Sequence, residues 1–416
     1  MTKVKRLIMS TAIAVCLVLS GCETTGATLE NSMTEASKST PDFDMSSGSD
    51  NSNSAEKTSD PSQDYETGDE SSQTESGLLA WGSMGSVWIL GEEYDIATTK
   101  YLDLTDKGIT NEILEQIAPE IEKLVNLSSL SLQTNKLSNI SALARLTNIS
   151  ILSLSNNMIS DISVLSEFTN LKHLSIWNNI KPDLSPLVNL PNLTSLGIGD
   201  LHTDLSVLSK LTNLTDLTLH YNAYPQTLSE CDDLSPLAEL TNLTELDLKY
   251  VMTDDISSLA ELTNLTTLEL DYITSWDGIP VVDMSMFEEL TNLTALKLGH
   301  MKVNNVSSLA GLTNLTELKL EDVSNWDGTP FVDLSLLAGL TNLNELTLIN
   351  GKAYFDISPL AALTNLTKLK LKLAILDISP LMGLTQLNTL DLQYSHISSD
   401  DKERLQAQFP DCEIIF

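Results

Sequence analysis

The sequence predicts an α/β solenoid, with a curved parallel β-sheet on one side and short helical turns on the other, built from stacked copies of one short unit. Three observations predict it. The pattern Leu-Thr-Asn-Leu-Thr-x-Leu-x-Leu recurs through most of the chain, mostly every 21 to 23 residues. Inside each copy, apolar and polar residues alternate as in a strand with one buried face. The segments flanking the array depart from the consensus, as terminal caps of a stacked array do.

Twelve units open at Leu124, Leu146, Phe168, Leu190, Leu211, Leu240, Leu262, Leu290, Leu312, Leu340, Leu363 and Leu384. In the stretch Leu214 to Leu219, alternation turns Leu217 and Leu219 inward and Asp216, Thr218 and His220 outward. One such strand cannot bury its apolar face alone, so successive units share a core. The return segment of a complete unit opens with Asn139, Asp161, Asp183, Asp204, Asp233, Asp255, Asp283, Asn305, Asp333, Asp356 or Asp377. This column has two readings, a calcium ladder or caps on short helical turns, and the asparagines at 139 and 305 favour caps.

Residues 79–123 read as an N-terminal cap. Val87 to Leu90 forms a strand over the open end, a second strand starts at Tyr101, and Ile113, Leu114, Ile117, Ile121 and Leu124 recur at helical spacing. The repeats occupy 124–398. Residues 399–416 close the other end with a helix from Asp401 to Phe409 and an apolar tail containing Cys412.

The short period and the Leu-Thr-Asn-Leu opening, repeated twelve times from about Tyr101 onward, resemble the internalin-like class of leucine-rich repeats. The resemblance implies a leucine-rich repeat solenoid with its sheet on the concave face and its helical turns on the convex face. It also implies protein recognition through that concave face. Internalins bind host-cell receptors, but the repeat motif does not specify their contact residues, so the partner class carries over only as a protein ligand. No Leu-Pro-x-Thr-Gly sorting signal follows the repeats, a departure from the wall-anchored members.

The N-terminus predicts how the protein is held instead. Lys3, Lys5 and Arg6 precede an apolar run that ends in Leu19-Ser20-Gly21-Cys22. Small residues before a cysteine at this place resemble the lipobox of bacterial lipoproteins. That implies a signal peptide over 1–21, acylation of Cys22 and attachment to the outer face of the cell membrane. Residues 22–78 then form a tether rich in Ser, Thr, Asp and Glu. Between Glu23 and Gly77 it carries thirteen acidic residues and two lysines, too little apolar surface to offset the entropy of ordering.

Charge excludes several functions. The chain has 23 basic and 57 acidic side chains and a formal charge of -34. Removal of 1–21 takes three cations and no acid, leaving about -37. Such a field repels nucleic acid. No nucleophile–base spacing, paired-carboxylate motif or phosphate loop stands out, so the chain reads as a non-enzyme without cofactor or metal. Cys231 and Cys412 lie seven coils apart, roughly 34 Å, too far for a disulfide, and both are expected to be buried. The Asn-Leu-Thr triplets match an N-glycosylation pattern but arise from the repeat.

Candidate binding residues lie at outward positions. Trp177 stands out among the serines of the early units. Tyr221, Tyr250 and Tyr272 share one position in three consecutive units, and His300 follows in the fourth, with His220, Lys249 and Asp271 beside them. Tyrosine supplies rigid contact area at low entropic cost, although a column of rings can equally stiffen the sheet edge. Lys368, Lys370 and Lys372 project from one strand, with Glu345 and Asp391 placed to neutralise part of their charge. Long units carry Tyr224, Trp276 and Trp326 on loops, which either pack on neighbouring coils or wall the groove. The expected function is a surface-displayed, lipid-anchored protein that binds a protein ligand through the concave face and rim loops. A binder of envelope glycan and a passive envelope spacer are the alternatives.

Overall fold

In the computed structural model the described residues are 85–199, 204–221, 233–253, 255–273, 281–304, 306–325, 333–375 and 377–416. The signal segment, Cys22 and the tether lie outside them, as do Tyr224, Cys231, Trp276 and Trp326.

Fourteen strands among the described residues form one sheet in chain order, from Tyr101–Asp103 to Glu413–Ile415. Every neighbouring pair is parallel, and the same repeat position aligns each time. Leu102 faces Leu130, Leu130 faces Leu152, and the row continues through Leu217, Leu246 and Leu268 to Leu390 and Ile414. Each strand is buried at its leucines and partly exposed between them. The chain returns through short 3-10 turns such as Ser235–Glu239 and Ser358–Ala362. This is a leucine-rich repeat solenoid with a core of stacked leucines.

The consensus polar residues bind one coil to the next. The asparagine of Leu-Thr-Asn-Leu donates to the carbonyl of the residue one place earlier in the preceding coil, as Asn264 does to Thr241 and Asn365 to Thr341, both at 2.8 Å. The following threonine donates to the carbonyl of its own counterpart in the preceding coil, as with Thr266 Oγ1 to the Thr244 carbonyl at 3.0 Å. These bonds give the Asn-Leu-Thr triplets a structural role. The column of acids caps the turns: Asp161, Asp183, Asp233, Asp356 and Asp377 each accept the backbone N–H of the serine two residues on, at 2.8–2.9 Å. Asn139 makes the same bond to Ser141 at 2.8 Å.

The third polar device changes along the array. In the first units Asn135, Asn157 and Asn179 point inward and bridge coils. Asn157 Nδ2 donates to the Leu132 and Leu154 carbonyls at 3.0 and 2.9 Å, and its Oδ1 accepts the Leu137 N–H at 3.0 Å. In the middle units the same position holds Val251, Ile273, Met301 and Val323, all buried. Backbone pairing takes over there. Val281–Asp283, Lys302–Asn304 and Ser324–Asn325 form a second, three-stranded parallel sheet, with the Ser324 N–H donating to the Met301 carbonyl at 3.1 Å. The repeat pattern does not announce this sheet, because it replaces a side-chain ladder by a backbone one.

Helices and short strands stand at both ends of the repeat array. The helix α1, Asn111–Glu122, is capped by Thr110 and buries Leu114, Ile117, Ala118 and Ile121. The strand Ser86–Ile89 pairs antiparallel with Glu92–Asp95 as a separate hairpin, and Val87 and Ile89 enter the core. The helix α2, Ser399–Gln408, is capped by Ser398. Its tail, read only as apolar, becomes the last strand of the main sheet and pairs Ile414 with Leu390. Cys412 is partly exposed rather than buried, because it precedes that edge strand, and it is a free thiol.

Candidate binding surface

The outward positions of the sheet divide into two halves. From Ser129 to Gly199 they are uncharged, with small side chains interrupted by Ile151, His173 and Trp177. Trp177 is half-buried at the end of its coil, and a side chain at Gly199 would crowd it, since a Cβ there would lie 3.2 Å from the Trp177 Cβ. Beneath this stretch run hydroxyl pairs, such as Ser155 with Ser175 at 2.7 Å.

Charge begins at Asp216 and is matched across strands. Lys249 sits 2.6 Å from Glu269 and 3.2 Å from Asp247, while the His220 imidazole reaches the same Asp247 oxygen at 2.8 Å. Burial works against the Asp247 carboxylate, but His220 and Lys249 outweigh it and hold its pKa below the ordinary value. Burial likewise opposes the Lys249 charge, and Asp247 and Glu269 prevail and raise its pKa. The other Asp247 oxygen is buried without a hydrogen-bond partner. Further along, Lys297 pairs with Glu317 at 3.0 Å and Lys319 with Glu321 at 2.6 Å.

The lysine strand is neutralised by its neighbours. Lys368 meets Glu345 at 2.6 Å and Lys370 meets Asp391 at 3.2 Å. Lys372 lies over the Tyr394 ring, 5.1 Å from its centroid. Three cations on one strand repel one another, and here each has a local counterpart.

The tyrosine column lies one residue beyond the strands, at the rim of the sheet rather than on its floor. Tyr250 follows Glu245–Lys249, Tyr272 follows Thr267–Asp271, and His300 follows Ala295–Gly299. All three have positive φ, of 58°, 52° and 49°. Thr134, Asn156, Asn178, Asp322 and Tyr394 hold the same conformation at this position in other units. Asparagine and aspartate tolerate the left-handed region, whereas bulky residues seldom adopt it. The rings stack: Tyr250 on Tyr272 at 4.7 Å and 15°, and Tyr272 on His300 at 4.1 Å and 7° between planes. Tyr221 packs against the core at the head of the column.

Two aspartates flank the far end. Asp271 Oδ1 lies 2.9 Å from His300 Nδ1, and Asp322 Oδ2 lies 3.8 Å from Nε2. Gly299 makes the first contact possible, because a Cβ there would come within 2.3 Å of the same Asp271 oxygen. Asp247, Glu269, Gly299 and Asp322 were not singled out in the sequence. Reading each repeat position down successive units, instead of along one strand, would have found them.

The structure thus gathers Tyr250, Asp271, Tyr272 and His300 into one rim feature, sets His220 and Lys249 in a neighbouring charge network on the floor, and leaves Trp177 and the three lysines in separate regions. No cluster of metal-ligating side chains occurs among the described residues, and no helix among them is long and apolar enough to cross a membrane.

No protein-family model and no curated protein matches the chain. Among solved structures it is similar to an internalin from Listeria monocytogenes, at 29% identity and a TM-score of 0.58, covering 78% of this chain and 89% of that one. A leucine-rich repeat protein from Leptospira interrogans matches at 20% identity and a TM-score of 0.41, covering 77% and 96%. A second Listeria internalin, internalin C2, matches at 27% identity and a TM-score of 0.34, covering 54% and 80%. The first of these, together with the parallel sheet described above, makes the fold a leucine-rich repeat of internalin-like form.

Proposed function

We propose that this internalin-like solenoid is a surface-displayed binding protein, anchored through a lipid on Cys22, that recognises a protein ligand with its concave face and C-terminal rim. The observation that carries the reading is the stacked column of Tyr250, Tyr272 and His300. Three neighbouring aromatic side chains sit in a backbone conformation that costs them energy, at a position where other units use asparagine, aspartate, threonine and, in the last, Tyr394. Nothing in the repeat requires rings there. Strain held at one exposed place accords with a recognition role, and tyrosine is a common anchor in protein interfaces.

The early half of the sheet supports the same reading. Its uncharged floor with one half-buried tryptophan gives a contact surface that a protein can approach without desolvating charge. The paired charges of the later half give specificity of register more than raw affinity.

Labelled ectodomain, residues 23–416, tests this on animal cells and on bacterial cell walls, each with and without protease treatment. Saturable, protease-sensitive binding that is lost when Tyr250 and Tyr272 are changed together to Ser is the expected result. Protease-resistant binding to walls would instead assign an envelope polymer, and no saturable binding at all would leave a passive spacer. The anchor is tested separately: Cys22→Ser in the producing bacterium should abolish lipid incorporation and release the protein into the medium.

A further inference from the structure

The charges around the aromatic column are unevenly satisfied. The lysines of the strand face are taken up: Lys249, Lys297, Lys319, Lys368 and Lys370 each have a carboxylate within 3.2 Å, and Lys372 lies over Tyr394. The carboxylates at the end of the column are not matched in the same way. Asp322 is half-exposed, at 52%, with His300 as its ion-pair contact at 3.8 Å. Asp271 leans across Gly299 to the same imidazole. One imidazole thus stands between two aspartates, so acidic groups outnumber basic ones at this end of the column. The Tyr272 hydroxyl feels this, its pKa pushed up by burial first and then by Tyr250, Asp271, Asp322 and Glu321. The chain as a whole carries -34.

We propose that the Tyr250–Tyr272–His300 column and the Asp271 and Asp322 carboxylates beside it form the docking site for a basic, arginine-presenting segment of the protein partner. A guanidinium is planar and weakly hydrated. Tyr272 is covered on both faces by Tyr250 and His300, so one guanidinium of the segment stacks on the Tyr250 face turned away from Tyr272, and a second pairs with Asp322 at the other end of the column. The two ends of the column supply the two contacts. The net charge of the solenoid draws a basic segment towards it and repels an acidic one. This inference rests on the protein-binding reading and specifies the chemistry of the partner at this rim.

The test is fluorescence anisotropy with the chain from residue 23 and three labelled probes of equal length, rich in arginine, lysine or glutamate, at about 0.15 M salt. The arginine probe should bind, the lysine probe more weakly and the glutamate probe not at all. Tyr250→Ser with Tyr272→Ser, which leaves the charge unchanged, should weaken the arginine probe about five- to tenfold. Asp322→Asn should weaken it about threefold. Asp356→Asn removes the same charge from a cap on the convex side and should have no effect. Urea unfolding of each variant confirms that it is folded. Equal binding of arginine and lysine probes with no effect of the tyrosine change overturns the inference, as do equal losses from Asp322→Asn and Asp356→Asn, since a diffuse field then accounts for the binding. Protease-sensitive cell binding that needs the tyrosines, with no binding of the arginine probe, overturns the inference and leaves the wider protein-binding reading standing.

Discussion

Replacement of Tyr272 by Asn decides whether the aromatic column holds the sheet together or serves a partner. Tyr272 is the middle ring, and its loss removes both stacked contacts, at 4.7 and 4.1 Å. Each such pair is worth about 0.5–1.5 kcal/mol, so roughly 1–3 kcal/mol is forfeited. Against this stands φ of 52° at Tyr272. Left-handed backbone costs an ordinary residue about 1–2 kcal/mol, most of which asparagine escapes. Asn156 and Asn178 already hold the same place in early units. The two effects nearly cancel, and the expected net destabilisation is about 0–1.5 kcal/mol. Tyr272→Ala forfeits the rings and keeps the strain, so it should cost about 1–3 kcal/mol. Urea unfolding followed by circular dichroism separates the variants. If Tyr272→Asn lowers stability by more than about 3 kcal/mol, or matches Tyr272→Ala, the balance between stack and strain is wrong and the column is a structural brace.

Three further outcomes follow from the ladders and caps. Asn157→Ala leaves the buried Leu137 N–H without its acceptor, while the Leu132 and Leu154 carbonyls keep Asn135 and Asn179 as donors, and should cost about 1–3 kcal/mol in urea unfolding; a loss below about 0.5 kcal/mol would show that another acceptor replaces the amide. The exposed caps Asp161, Asp183, Asp204, Asp233, Asp333, Asp356 and Asp377 have pKa values lowered by hydrogen bonds from the serine two residues on. Folding therefore gains from their ionised form above the ordinary aspartate range, near pH 4, and loses that gain as pH falls through the lower folded values. The urea midpoint should drop on acidification below about pH 4, and replacing several of these aspartates by Asn, as at Asn139, should flatten that dependence; an unchanged acid limb would refute it. Gly299→Ala places a Cβ 2.3 Å from an Asp271 oxygen that lies 2.9 Å from His300, so the carboxylate should be displaced and the His300 imidazole NMR signals should move at fixed pH, and unchanged signals would show that the contact survives.

The parts of the fold legible in the sequence are those that every coil must solve alike. Leu217 and Leu246 face each other because each strand meets a copy of itself, so the requirement is written out once per unit and the period exposes it. The caps were legible for the same reason, since Asp161 and Asp356 answer one local demand. The second sheet was not. Whether a carbonyl is met by an asparagine amide or by a neighbouring backbone depends on the coils on both sides. The replacement of Asn157 by Val251 at the equivalent position signals a change without naming the substitute. The column of tyrosines was visible, but its stacking turns on the sign of φ at one residue past the strand, and its link to Asp271 turns on the missing side chain of Gly299. The partners of Lys368 and Lys370 were legible, because the repeat register places Glu345 and Asp391 on the flanking strands, whereas the approach of Lys372 to the Tyr394 ring was not.

The bonds between coils also make the units interchangeable. Asn264 reaches for the Thr241 carbonyl and Asn365 for that of Thr341, each finding the same acceptor at the same 2.8 Å. A donor of this kind does not distinguish which coil precedes it. Removing or inserting one unit between two Leu-Thr-Asn-Leu boundaries brings together edges that already fit, with the leucine rows still in line. Length can therefore change in steps of one strand spacing, about 4.8 Å, without redesign of the core. A lineage carrying such an array can move the distance between its aromatic rim and its lysine strand by whole notches, and so refit the surface to a new ligand through recombination as readily as through point mutation.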